Sequence, residues 1–166
     1  MIRIVGACCI VTGCGGFGFA MAAAHRREEA ELVRLISALE YMSCELSYRM
    51  TPLAALCRGA VSEGMVGEFF RGLASELERG DAPDVQVCVR AILERMDLPR
   101  ELERQLQQLG DTLGRFDLPG QLQGIQSVRK RCEESLMYIR KNRDERLRSY
   151  QTLGICAGAA LAIVLI

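Results

Sequence analysis

The sequence has little of what most enzymes use for catalysis. It has no tryptophan, a single histidine (His25) and 5% aromatic residues, and its formal net charge is zero. One histidine at the edge of an apolar segment cannot activate a serine or cysteine in the rest of the chain. The eight cysteines form no C-x-x-C pair, which disfavours a zinc site or a disulfide framework. We therefore expect no enzyme activity, no catalytic residues, no cofactor and no metal.

Charge is also missing from both ends of the chain. Residues 1–24 contain one charged side chain and residues 149–166 contain none, so residues 25–148 carry the other 41 of the 42 charges. This segregation argues against an ordinary soluble globular protein, and neutrality argues against a generally basic nucleic-acid binder. The pattern predicts three parts: an N-terminal transmembrane helix (1–24), a cytoplasmic helical domain (25–148) and a C-terminal transmembrane helix (149–166).

Both apolar ends are long enough to cross a bilayer as helices. Residues 4–24 are uncharged over 21 positions and residues 149–166 over 18, whereas a helix needs about 20 apolar residues for the hydrocarbon core. Basic residues lie on the inner side of both segments: Arg26, Arg27, Arg140, Lys141, Arg143, Arg146 and Arg148. The positive-inside rule then predicts a two-pass topology with the middle segment in the cytoplasm.

The first apolar segment also contains signals for other functions. Gly13-x-Gly15-x-x-Gly18 matches the dinucleotide-binding fingerprint, but that fold needs parallel strands, and residues 25–166 contain no strand-like run. Residues 11–14 and 22–24 resemble lipoprotein and signal-peptidase cleavage sites, either of which implies export. The basic cluster before the second segment opposes export.

The middle segment has helical periodicity throughout. Its first stripe predicts one core-facing surface: Leu32, Leu35, Ile36, Leu39, Met42, Leu46 and Met50. Thr51 and Pro52 are expected to end this helix and begin the next, with Thr51 as N-cap and Pro52 in the first turn. Later stripes, separated by glycine and proline, bring the total to five or six helices. The fold class is therefore all-α, a bundle with short connections.

Two motifs in this segment resemble those of the stage III sporulation protein AB family. The first is Glu45-x-x-Tyr48-x-x-Thr51-Pro52-Leu53, and the second is Leu109-Gly110-x-x-Leu113-Gly114-x-x-Asp117-x-x-x-Gln121. With the two terminal segments, the resemblance covers essentially the whole chain. It implies a cytoplasmic domain similar to the F-protein domains of type II secretion systems.

The resemblance also implies a role and partners. The protein would be a membrane part of the sporulation channel complex between mother cell and forespore, on the mother-cell side of the outer forespore membrane. It would dock stage III sporulation protein AA, a secretion-type ATPase, and meet other membrane proteins of the channel. F proteins carry two such domains and this chain carries one, so a homodimer or higher oligomer would supply the second. No nucleic acid is implied.

The motif residues divide into two groups. Partner contact is predicted for the polar positions Glu45, Tyr48 and Gln121, with internal hydrogen bonding as the open alternative, and for Arg115, which would meet an acidic ATPase surface. Structural roles are predicted for Thr51 and Pro52 at the helix junction, Gly110 and Gly114 in close helix packing, Leu113 in the core and Asp117 as a helix cap. The alternative functions are a helical adaptor for an unrelated membrane machine and a membrane-tethered nucleotide-dependent oxidoreductase that uses Gly13-x-Gly15-x-x-Gly18.

Overall fold

The computed structural model describes the backbone of residues 2–80, 84–114 and 117–165. Within these ranges, side chains are described from residue 26 to residue 141. The chain divides into two units, one formed by Glu28–Leu136 and the other by Met1–Arg27 with Met137–Ile166. The side chains of the two predicted transmembrane segments, 1–24 and 149–166, are outside the set of described side chains. Across the part of the chain that was described, no helix is long and apolar enough to span a membrane.

Six helices account for the described secondary structure. They are α1 (Ile2–Arg49), α2 (Leu53–Gly59), α3 (Gly64–Arg79), α4 (Val85–Leu93), α5 (Arg100–Thr112) and α6 (Leu118–Leu165). Residues 2–80, 84–114 and 117–165 contain no β-strand. The all-α prediction is confirmed, and the helix count reaches the upper predicted number.

Local chemistry explains where several helices begin and end. Gly80 follows α3 with φ of 70°, a left-handed conformation that glycine adopts at little cost. The Asp84 side chain accepts a hydrogen bond from the Gln86 N–H at the start of α4. Asp117 does the same for α6, because its carboxylate accepts from the Gly120 N–H at 3.2 Å. This is the geometry expected of an N-capping aspartate.

The junction between α1 and α2 differs from the sequence prediction in one respect. Pro52, and not Thr51, occupies the N-cap position of α2, and its carbonyl accepts from the Leu56 N–H at 2.9 Å. The Thr51 hydroxyl instead donates back to Oε2 of Glu45 at 3.0 Å. Thr51 therefore closes the end of α1 and does not cap α2.

The core of the Glu28–Leu136 unit is aliphatic. Helix α2 packs on α3, α3 on α4 and α4 on α5. The α1 stripe is buried at five of its seven predicted positions, Leu32, Leu35, Leu39, Met42 and Leu46, and half-buried at Ile36. Met50 is the exception, because 75% of it is exposed. Helix α1 ends at Arg49, so the next residue no longer follows the helical period, and φ of 48° directs Met50 out of the stripe.

A buried carboxylate ties α1 to α3. Glu31 is 4% exposed; its Oε2 accepts from the Val66 N–H at 3.0 Å, and its Oε1 pairs with Arg34 at 2.5 Å. The amide of Val66 is one of the N–H groups that the first turn of a helix leaves without an internal acceptor. The N-cap residue of α3 makes no side-chain hydrogen bond to the first turn. Glu31 of α1 supplies that acceptor instead.

Helices α5 and α6 run antiparallel in close contact. Ser135 bonds to Glu101 and Arg131 to Gln108, so residues later in α6 meet residues earlier in α5. Gly124, earlier in α6, lies against Thr112, later in α5, since a Cβ on Gly124 would overlap Cγ2 of Thr112. This pairing places the start of α6 beside the end of α5.

Candidate functional site

Both sequence motifs lie at one end of the bundle. A Cβ on Gly114, just after α5, would be 2.9 Å from Cγ2 of Val85 and 3.9 Å from Cδ2 of Leu53. The end of α5 therefore adjoins the first residues of α2 and α4, and α6 begins beside it. We call this region the distal end; it comprises residues 45–53, 84–87, 110–114 and 117–121.

The distal end is far from the points where the chain leaves the Glu28–Leu136 unit. Tyr48 is twenty positions after Glu28 along α1, and Leu136 is eighteen positions after Leu118 along α6. At 1.5 Å per residue these stretches rise about 30 Å and about 27 Å. The motif residues thus lie at the opposite end of the unit from both exits.

Glu45 is occupied by internal contacts. It accepts from the Thr51 hydroxyl and lies 3.6 Å from Nη1 of Arg49. Internal hydrogen bonding, the alternative left open by the sequence, is what the structure shows for this residue. Glu45 holds the connection from α1 to Pro52 in place.

The other three predicted contact residues differ in what surrounds them. Tyr48 is 85% exposed, so nothing in the described part of the chain covers its ring. Gln121 is half-buried in the first turns of α6, and its N–H donates to the Asp117 carbonyl at 2.9 Å. Arg115 lies outside the described residues. The structure therefore singles out Tyr48 as the predicted contact residue that faces solvent.

The residues predicted to be structural make close internal contacts. A Cβ on Gly110 would lie 2.8 Å from Cγ1 of Val89, so this glycine allows α5 to approach α4. Gly114 has φ of 77° and Leu113 is fully buried. A side chain at Gly114 would be strained in its backbone and would also meet Val85.

Met50 belongs to this region although the sequence pattern assigns it to the core. It is 75% exposed and is the one non-glycine residue with positive φ among those described. The signal available in the sequence was the Thr51-Pro52 pair, because a residue before such a pair is where a helix ends. An apolar stripe therefore does not predict burial for a residue at or beyond the end of its helix.

Carboxylates outnumber cations at the distal end. Its described residues include Glu45, Asp84, Asp111 and Asp117 against one cation, Arg49. Counting Arg115 from the sequence still leaves four acids and two bases. The distal end, which includes Tyr48 and Met50, therefore carries a net negative charge.

A second polar cluster, absent from the sequence predictions, lies between α5 and α6. Oε1 of Glu101 accepts from Gln105 and from Ser135, both at 2.8 Å, and Oε2 accepts from Arg104 at 3.0 Å. Partial burial opposes ionisation, but the hydrogen bonds and the Arg104 charge outweigh it and lower the pKa of Glu101 below its ordinary value. The cluster fixes α5 to α6.

Metal ligands, a groove and the buried thiols are the features of the described residues that bear on metal binding and catalysis. No group of three or more His, Cys, Asp or Glu side chains among them is arranged to hold a metal ion. A shallow groove between α1 and α6 has a volume of about 320 Å³ and is crossed by the Glu40–Arg129 ion pair at 3.1 Å. Burial raises the pKa of the Cys57 thiol to about 12, which suppresses its nucleophilic thiolate form.

Fold and site together define an all-α bundle protein whose motif residues lie at one end. The chain matches the stage III sporulation protein AB family over residues 3–166, and it belongs to that family. It is 24% identical over 170 residues to the stage III sporulation protein AB of Bacillus subtilis (strain 168), covering 99% of both chains. A solved structure named stage III sporulation protein AB superposes with a TM-score of 0.62 at 20% identity, covering 72% of this chain and 98% of that chain.

The family assignment from the two sequence motifs is thus confirmed. The solved relative supports the helical fold, and both relatives are named as sporulation proteins.

Proposed function

We propose that this protein is a non-enzymatic membrane platform of the sporulation channel complex, and that its helical domain docks a secretion-type ATPase. Family membership over residues 3–166 carries the proposal, since it links the chain to sporulation. Hydrolysis would take place in the partner, and the platform would hold that partner at the membrane.

The charge distribution supports a membrane anchor at each end. The uncharged segments 4–24 and 149–166 have the length and composition of transmembrane helices. In the proposed arrangement both cross the outer forespore membrane, the helical domain lies on its mother-cell side, and the basic residues that adjoin the two segments stay on that cytoplasmic face.

The position of the motif residues supports docking at the distal end. The distal end lies at the opposite end of the Glu28–Leu136 unit from the two points where the chain leaves that unit, and Tyr48 is exposed there. Exposed tyrosines are frequent anchors of protein interfaces because they bury a large ring at a small entropic cost. A homodimer would supply the second domain that F-type platforms contain, and other channel membrane proteins would meet the anchors.

Copurification with the ATPase tests this function. The full-length chain in detergent micelles is expected to retain purified stage III sporulation protein AA on an affinity resin, whereas empty micelles retain none. Leu73→Asp is the matched control, because Leu73 is fully buried and a charge there should unfold the bundle and abolish retention. Absence of binding by a folded wild-type chain would contradict the proposal.

The nucleotide-dependent oxidoreductase has less support. Gly13, Gly15 and Gly18 fall within the continuous helix α1, whereas the fingerprint requires a strand followed by a tight turn. The generic adaptor differs from the proposed platform only in its partner, so the same copurification decides between them.

A further inference from the structure

We infer that Tyr48 and Met50 form the contact surface for the ATPase, and that Met50 is kept at a cost in stability for the sake of that contact. The inference rests on the proposed function and adds a residue that the motifs do not include. We call these two side chains the distal patch. Both are among the most exposed large apolar side chains described, at 85% and 75%.

The backbone at Met50 is strained for a residue with a side chain. With φ of 48°, Met50 occupies the left-handed region in which a residue with a Cβ is strained and glycine or asparagine is favoured. Its side chain is 75% exposed and gains little from internal packing. A helix end that needed only a turn would be more stable with glycine, so contacts with the described residues do not explain a methionine. Strained residues of this kind concentrate at functional sites.

The surroundings of the patch indicate the chemistry of its partner. Tyrosine and methionine suit a shallow apolar pocket, and methionine adapts to irregular ones. The acidic excess of the distal end to which they belong, Glu45, Asp84, Asp111 and Asp117 against Arg49, calls for basic groups around that pocket. The occupant is therefore an ATPase surface with an apolar pocket and a basic border, and not the acidic surface expected from Arg115 alone.

Affinity and stability measured on the same variants test the inference. The full-length chain in micelles is titrated with purified stage III sporulation protein AA, and thermal unfolding is followed by circular dichroism. Tyr48→Ala is expected to weaken binding about tenfold or more. Met50→Gly and Met50→Asn, both suited to positive φ, should weaken it about fivefold while keeping or raising the thermal midpoint. Met50→Leu, which keeps an apolar side chain, should retain most of the affinity.

Two controls come from another pair of exposed apolar residues. Met137 and Tyr138 on α6 are the next most exposed large apolar residues described, at 64% and 65%, and Met137→Ala and Tyr138→Ala should bind like wild type. Asp111→Arg, at the exposed end of α5, should weaken binding because it would repel a basic border. Stronger binding by Asp111→Arg would overturn the inferred chemistry.

The outcomes separate this inference from the proposed function. If wild type binds and both Met50 variants bind equally well, the distal patch is wrong and the platform function stands. Equal losses in the Met137 and Tyr138 controls would also overturn the patch. If folded wild type does not bind the ATPase, both proposals fail together.

Discussion

Glu101 shows how a single carboxylate holds two helices together. It receives hydrogen bonds from Gln105 on its own helix and from Ser135 on α6, and these favour its charged form. A carboxyl whose pKa is lowered by folding stabilises the folded state above its ordinary pKa. That contribution is lost as the pH falls below about 4.5 toward the lowered value, because both states then become protonated.

The first prediction concerns Glu101→Gln. The variant should unfold with a free energy about 1 kcal/mol lower than wild type at pH 7, because a neutral amide accepts weaker hydrogen bonds. The difference should shrink between pH 5 and pH 3. Denaturant unfolding followed by circular dichroism measures it, with the exposed Glu103→Gln on the same helix as control. A difference that stays constant across this pH range would contradict the assigned cause.

At the scale of the helices, two glycines set how closely elements approach. Gly110 lets α5 pack against Val89 of α4, and Gly124 lets α6 pack against Thr112 of α5. Gly72 in α3 is different, since a Cβ there would meet Ile92 at 3.6 Å, an ordinary contact distance. Glycine is therefore required for packing at the first two positions and not at the third.

The second prediction compares these glycines. Gly110→Ala should lower the free energy of unfolding by about 1–3 kcal/mol, because Val89 must move. Gly72→Ala, in the interior of α3, should raise it by up to about 1 kcal/mol through its higher helix propensity. Adding Val89→Ala to Gly110→Ala should recover part of the loss once the cost of Val89→Ala alone is subtracted. Denaturant titrations of the four variants provide the values, and purely additive effects would argue against the close contact.

Across the whole molecule, the distribution of thiols provides a test of topology. Cys44 is exposed, whereas Cys57 and Cys132 are buried and burial raises the pKa of each thiol to about 12. For Cys132 the nearby carboxylates of Glu101 and Glu133 add to that shift. Because the thiolate is the reactive form, Cys44 should react much faster than the other two.

The third prediction uses this difference. In the proposed two-pass topology, a membrane-impermeant maleimide should leave Cys44 unmodified in intact sporulating cells and modify it after lysis. Cys57 and Cys132 should stay unmodified in both samples until the protein is denatured, which serves as the internal control. Peptide mass spectrometry assigns the labelled sites. Labelling of Cys44 in intact cells would place the bundle outside the cytoplasm, as an exported protein requires.

Much of the architecture is local and is therefore readable in the sequence. Apolar residues at three- and four-residue steps predict helices, glycine and proline predict their ends, and both signals act within a few residues. The two motifs also predicted the family to which the chain belongs. Thr51 was assigned wrongly because its hydroxyl had two partners within reach, the next helix and Glu45, and only the turn geometry selects between them.

The sequence by itself determined that the chain is helical, that its charges lie between two apolar ends and that two motifs place it in its family. Only the tertiary structure decided that these motifs, about sixty residues apart, meet at one end, since the antiparallel pairing of α5 with α6 and the proximity of Gly114 to Leu53 are not local. It also decided that Met50 faces solvent while Glu45 turns inward. Periodicity describes a helix but not what surrounds its end, and exposure depends on those surroundings.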